Sequence, residues 1–409
     1  MAMRKLFHQP WGYSEGFLTV FIFIVLALTV EIITGFKLIV LPGWPYNVQI
    51  AVSYIALLIL IYFSYKNTPV IKWLSGVPAC ISAIVFFASL SLAIGLFPQS
   101  ENPGRNSLTI SLSNIQRSWL FLFSTVYLLT CLGFVIIRRF SPLSKRNLGF
   151  LSNHLGLWLI IFSASLGSGD HKTFQINLEE GKANQIGCNT EEVCMEFPFS
   201  LKLLNFHMDV FPAKAALVEY GSDKIDVRLK NNLFMLEKNV EKKIKDFNIK
   251  LERYLPLAVY DTIKGVYASN AIGAAPAALL SVKNSSGKFI AEGWISCGSF
   301  ESKPVFLGLG KKYFLIMTDP EPKVYISTIE ITDNSGKKKT VQIKVNSPYT
   351  ISGWKLYQTS YDIKMGRYSK ISILEAVKDP WLPVVYIGIF LLMAGSAYLF
   401  WSGGVRIKE

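Results

Sequence analysis

Six apolar stretches, five crowded into the first 167 residues and one near the end, limit what this chain can fold into more than any other feature. A helix needs about 20 mostly apolar residues to cross a hydrocarbon layer of about 30 Å. Residues 17–36, 48–65, 79–97 and 119–137 meet that length, as do 383–401. Residues 150–167 also qualify, although Asn153 and His154 interrupt them. Composition agrees with a membrane chain: of 409 residues, 51% are hydrophobic and only 17% charged, and mean hydropathy is +0.34. These values exclude a disordered or collagen-like chain, and five cysteines are too few for a disulfide-stapled secreted scaffold.

The first apolar stretch reads as a retained span rather than a cleaved signal, because it is long, contains Glu31 and lacks a small-residue cleavage pattern. Arg4 and Lys5 precede it, Lys66 and Lys72 follow the second stretch, and Arg138, Arg139, Lys145 and Arg146 follow the fourth. The positive-inside rule then puts these loops and both termini in the cytoplasm and residues 168–380 outside. The same rule accounts for much of the net charge of +14. A nucleic acid is therefore not an expected partner.

Between the fifth and sixth stretches the pattern changes to short alternating runs at 225–229, 247–251, 324–332 and 341–345, the period of half-buried strands. The sequences NSSG at 284–287 and DNSG at 333–336 supply turn chemistry. The expected fold is an integral membrane α-helical bundle of about six spans with a large all-β, sandwich-like domain inserted before the last span. Its parts are a membrane region at 1–167, the β-rich domain at 168–380, and a final span with a short tail at 381–409. The charged run at 237–246 (EKNVEKKIKD) reads as a solvated turn or helix face.

Phosphate-cradling, nucleophile-elbow and zinc-protease motifs are missing. Histidine is then the main carrier of chemistry, as a metal ligand or a group that changes charge near neutral pH. His154, about four residues or about 6 Å into the fifth stretch, has two readings: a ligand turned toward the bundle, or an imidazole hydrated at the headgroups. His171 lies roughly 25 Å farther along if the helix continues, so the two cannot ligate one metal; it reads as a surface residue or as an exit site. His207 reads as packing or surface, and His8 as an unremarkable tail residue. For Glu31 the alternatives are a proton path and interfacial exposure. Cys188 and Cys194 either close a small loop in an oxidising compartment or stay reduced; their spacing is neither CxxCH nor CxxC. Cys297 would then be unpaired, and Cys80 and Cys131 read as small packing residues.

The run NHLGLWLIIFSASLGSGD around His154, the large strand-rich segment after it, GWKLYQTSYD at 353–362, and Asp379-Pro380 just ahead of the last span together resemble the ResB family of cytochrome c biogenesis proteins, the CcsB half of the system II machinery. The early spans and PWGYSEGF resemble the Bacteroides-type variant. The resemblance implies a subunit of the bacterial inner membrane, with the large domain periplasmic, that works with a CcsA-like partner to export haem b and deliver it to apocytochrome c. It also implies a haem-binding role for the position of His154, and a thioredoxin-like thiol reductant as a further partner. No tryptophan-rich haem-handling segment is visible, so the chain is expected to be one part of a split synthase and not catalytic alone. Trp354, Tyr357 and Tyr361 could offer an aromatic surface or simply pack a strand. The rival reading is a membrane scaffold that organises the assembly complex without binding haem.

Overall fold

The computed structural model describes residues 9–99, 113–140, 145–220, 232–237, 240–261 and 265–404. It separates into two compact units, Met1–His171 with Lys378–Glu409, and Lys172–Val377. Among the described residues, six helices of the first unit are long and apolar enough to span a bilayer. In chain order they are Tyr13–Ile33, Tyr46–Tyr65, Val77–Leu96, Trp119–Phe140, Lys145–Gly167 and Leu382–Gly404, hereafter the first to sixth spans.

Hydropathy found every span but misplaced several ends. Helical hydrogen bonding continues into polar residues that hydropathy discounts, so the fifth span starts at Lys145 rather than at 150. The first stops at Ile33 instead of 36, because Gly35 and Phe36 adopt positive φ and turn the chain away. The fourth span is the most buried and packs on the first, second, third and fifth. Hydroxyls bridge it to its neighbours: Tyr127 to Ser82 at 3.0 Å and Thr130 to Tyr54 at 2.9 Å. Such bonds hold helices together where lipid supplies no hydrophobic drive. Phe21, Leu60, Phe390 and other large apolar side chains lie exposed on the bundle's exterior, which suits a lipid environment.

The second unit is all β. Its strands are β1 (Lys172–Glu179), β2 (Ala183–Cys188), β3 (Cys194–Val210), β4 (Lys214–Glu219), β5 (Leu233–Met235), β6 (Glu241–Ile244), β7 (Phe247–Asp261), β8 (Gly265–Ala268), β9 (Ala275–Asn284), β10 (Phe289–Ser296), β11 (Leu307–Leu309), β12 (Tyr313–Met317), β13 (Pro322–Asp333), β14 (Lys338–Lys344), β15 (Tyr349–Ile351), β16 (Trp354–Tyr361) and β17 (Ile371–Lys378). Eight of them form one sheet in the order β14-β13-β3-β2-β1-β17-β16-β15. This sheet curls on itself, because Ser327 of β13 donates to Gln358 of β16 at 2.5 Å although four strands separate β13 from β16 in the order. Inside lies a core built on Leu178, Leu201, Ile329, Trp354, Leu356 and Leu374. A five-stranded sheet (β10-β9-β7-β6, with β8 on β7) and a four-stranded sheet (β11-β12-β4-β5) share a second core around Ile249, Leu280, Ile295 and Leu315.

The turns at 284–287 and 333–336 have one build. Asn284 Oδ1 accepts the amides of Ser286 and Lys288, Asp333 Oδ1 those of Ser335 and Lys337, and the glycines sit at φ 81° and 80°. The charged run at 237–246 is neither a helix face nor only a turn: it contains β6, the edge of its sheet, with Ile244 buried and Glu241, Lys242 and Lys243 exposed. Lysines on an unpaired edge discourage pairing with another chain. The expected strand at 225–229 and His8 lie outside the described residues.

Cys188 and Cys194 face each other across the β2–β3 hairpin and are joined by a disulfide. Cys297 is free. Burial, with a lesser contribution from Asp319, pushes its thiol up to about 12. Because only the thiolate is nucleophilic, iodoacetamide at pH 8 should label Cys297 readily only after unfolding. Rapid labelling of the folded chain, read by mass spectrometry, would contradict this.

Candidate functional site

His154 stands nine residues into the fifth span, about 13.5 Å of helix rise, deeper along the helix than its four-residue distance from the start of the apolar stretch indicated. Its ring stacks on Phe150, one turn earlier, with centroids 3.8 Å apart and planes 24° from parallel. Nδ1 lies 2.9 Å from the Phe150 carbonyl oxygen. A carbonyl only accepts, so this contact puts a proton on Nδ1, and in the neutral ring Nε2 then keeps its lone pair. Nε2 makes no hydrogen bond among the described residues. The guanidinium carbon of Arg139, in the last turn of the fourth span, lies 5.4 Å from the centre of the Phe150 ring. Cation, phenyl ring and imidazole therefore follow one another at the arginine-bearing end of the bundle.

Neighbouring residues on the same helix face other ways. Asn153 donates to Ser396 Oγ at 2.7 Å and Ser152 to the Leu391 carbonyl at 2.8 Å, both on the sixth span. Glycines bring the two backbones together: a Cβ built on Gly156 would lie 2.5 Å from the Leu392 nitrogen and 2.6 Å from the Gly388 oxygen. Trp158 donates to the Leu129 carbonyl of the fourth span at 3.0 Å and stacks on Phe162 at 4.2 Å. Asn153 is thus helix glue, and His154 is left on the flank between two packed faces, half-buried. Three clefts of the bundle and the β unit are lined by other side chains.

At the opposite end of the fifth span, Asp170 is a meeting point that sequence reasoning missed. Its Oδ1 accepts the Trp44 amide at 2.6 Å, and its Oδ2 accepts Asn47 Nδ2 at 2.6 Å and Trp381 Nε1 at 2.8 Å. One carboxylate thereby ties the second, fifth and sixth spans. Gly169 has no room for a side chain, since a Cβ there would strike the Pro42 oxygen. Asp170→Asn keeps the size but offers a single oxygen, so whichever way the amide turns, a donor faces a donor. The expected cost is about 1–3 kcal/mol, read as a lower melting temperature of the purified chain in detergent; an unchanged melt would show that the carboxylate is not needed there.

The remaining candidates separate rather than converge. His171 is exposed and belongs to the turn ending the fifth span, where its amide bonds to the Gly167 oxygen at 3.1 Å. His207 is exposed on β3, its Nε2 3.2 Å from Asp209. No cluster of three or more metal-ligating side chains occurs among the described residues. Glu31 is not exposed at the interface: it is buried at 3% exposure and its Oε1 accepts the Trp119 amide at 3.1 Å. A carboxylate there serves the first turn of the fourth span, where amides lack helical partners and the dipole favours negative charge.

In the β unit, Trp354 is buried at 3% exposure, with ring centroids 5.9 Å from Phe174 and 4.9 Å from Phe197. Gln358, farther along the same strand face, is buried with Ser327 and Ser372 in a closed hydrogen-bond network. Tyr361 packs against Phe206 and Tyr325, and burial raises its phenol above the ordinary value. The strand Trp354–Tyr361 is therefore chiefly a core element. It falls in a segment with a sequence counterpart elsewhere. Residues 301–370 match the ResB-like family. The ResB-like segment runs from ahead of β11 to just beyond β16, so it takes in β13, β14 and Trp354 of the curled sheet. No curated protein matches the chain.

Proposed function

We propose that the chain is the membrane subunit of a split, system II type cytochrome c synthase, which with a CcsA-like partner carries haem outward and presents it to apocytochrome c. The ResB-like match supports a place in cytochrome c biogenesis, and six spans with an inserted β unit suit a subunit of the inner membrane. The observation that carries the reading is the placement of His154 Nδ1 2.9 Å from the Phe150 carbonyl, which commits the Nδ1 proton and, in the neutral ring, leaves Nε2 its lone pair. That tautomer is the one a haem iron needs from an axial imidazole. Phe150 stacks on the ring and Arg139 lies over the Phe150 ring, a cation of the charge that would pair with a haem propionate.

His154 supplies one ligand from a half-exposed flank, so the second ligand and the covering wall come from another chain, and haem binding depends on assembly. The β unit acts by holding apocytochrome or partner near the point of delivery, which raises local concentration without a protein nucleophile. The disulfide at Cys188–Cys194 suits an oxidising, periplasmic location for this unit, with both termini cytoplasmic. A thioredoxin-like reductant would keep the apocytochrome thiols reduced.

The second reading, a scaffold that binds no haem, is favoured by one observation: His154 is half-buried on the flank of its helix, and its ring is stacked on a residue of the same helix. Co-expression with and without a CcsA-like partner, scored by covalent haem on a reporter cytochrome c and by the Soret band of the purified assembly, separates them. Covalent haem and a Soret band only with both chains present are expected. A colourless assembly that still matures the reporter would establish the scaffold, and full maturation without a partner would overturn the split synthase.

A further inference from the structure

The arginine-bearing end of the bundle holds a cleft that the haem reading does not use. It has a volume of about 440 Å³, and its walls include Gln9, Trp11, Asn67, Lys72 and Trp73. The motif PWGYSEGF builds one side. Trp11 meets Trp73 edge-on at 5.6 Å, and Trp73 Nε1 donates to the Gly12 carbonyl at 3.2 Å. Glu15 is buried and takes the Gly12 amide at 2.7 Å, so its carboxylate is turned into the protein. Gly16 lies flat on the third span, where a Cβ would come within 2.8 Å of Ser82 Oγ. The other side is the link between the second and third spans, with Lys72 exposed. Arg138 reaches the same link, donating to the Ser75 carbonyl at 3.1 Å.

This arrangement combines three features in one recess at the end of a membrane bundle: indoles, which favour the interfacial layer; a long cation whose stem can lie along apolar surface; and a primary amide that can donate hydrogen bonds. We propose that the cleft binds the phosphate group of an acidic phospholipid, with Lys72 pairing the phosphate, Asn67 donating to its oxygens, and the two tryptophans lying at headgroup depth. Basic recesses at membrane faces attract acidic headgroups by about 1 kcal/mol per cation. The site is independent of His154, and it gives the N-terminal segment a role: docking that segment completes the lipid site.

The test uses the full-length chain in a neutral detergent, with thermal unfolding followed during titration of dioctanoyl phosphatidylglycerol, dioctanoyl phosphatidylcholine or sodium phosphate. A saturable rise in melting temperature with phosphatidylglycerol, and none with phosphatidylcholine, is expected. Lys72→Gln should weaken the midpoint about fivefold, Lys72→Arg should retain it, and Lys303→Gln on the β unit should leave it unchanged. Equal responses to the two lipids, or a Lys72→Gln midpoint equal to wild type, would overturn the proposal. Inorganic phosphate acting at the same concentration as phosphatidylglycerol would assign the cleft to soluble phosphate and overturn the lipid source.

Discussion

His154→Ala should leave the purified assembly nearly colourless while the bundle stays folded. Changes in residues that merely support a metal ligand cost about 10–100-fold in affinity, and loss of the ligand itself should cost at least as much. The ring is half-buried and its main neighbour, Phe150, lies on the same helix, so no large cavity opens. Far-UV circular dichroism and the melting temperature should therefore barely move, while the Soret band of the co-purified complex collapses. Free imidazole added to the variant should restore part of the band, because the space and the iron's open position remain. A variant that keeps its haem would remove His154 from the site, and with it the observation on which the haem reading rests.

Trp354→Ala should be the most damaging single change in the β unit, at about 3–5 kcal/mol. The indole fills the centre of the curled sheet, between Phe174 of β1 and Phe197 of β3, and nothing nearby can collapse into its place without moving two strands. Urea unfolding of the full chain in detergent, followed by strand circular dichroism, gives the number. Trp354→Phe should recover much of the loss by refilling the volume. Unchanged stability with a loss of cytochrome maturation would mean that the aromatic strand contacts haem or partner directly.

What was legible in the sequence was whatever depends on neighbours in the chain. Six spans and the strands at 247–251, 324–332 and 341–345 follow from local periodicity, and the two Asx turns follow from four-residue patterns. Span ends were less legible, because a helix ends where its hydrogen bonds stop, and Lys145–Asn147 continue those bonds despite their polarity. The run 237–246 misled for a related reason: a lysine-rich edge strand and a solvated helix face share one composition, and only pairing with β7 tells them apart. His154 was visible as a polar residue in an apolar run, but its tautomer depends on a carbonyl one turn away. Asp170 was invisible, since its partners are Trp44, Asn47 and Trp381, more than a hundred positions distant in either direction. Glu31 likewise found a helix end 88 residues ahead of it.

The bond from Asp170 to Trp381 spans 2.8 Å in space and 211 positions in sequence. The bundle therefore closes its own seam, and everything threaded between those two residues is topologically a detour. A chain in which a short glycine-serine bridge replaces residues 172–377 would still bring the same two helix ends together. The six-helix frame can in this sense act as a socket, able to accept shorter, longer or unrelated inserts without rebuilding its interior.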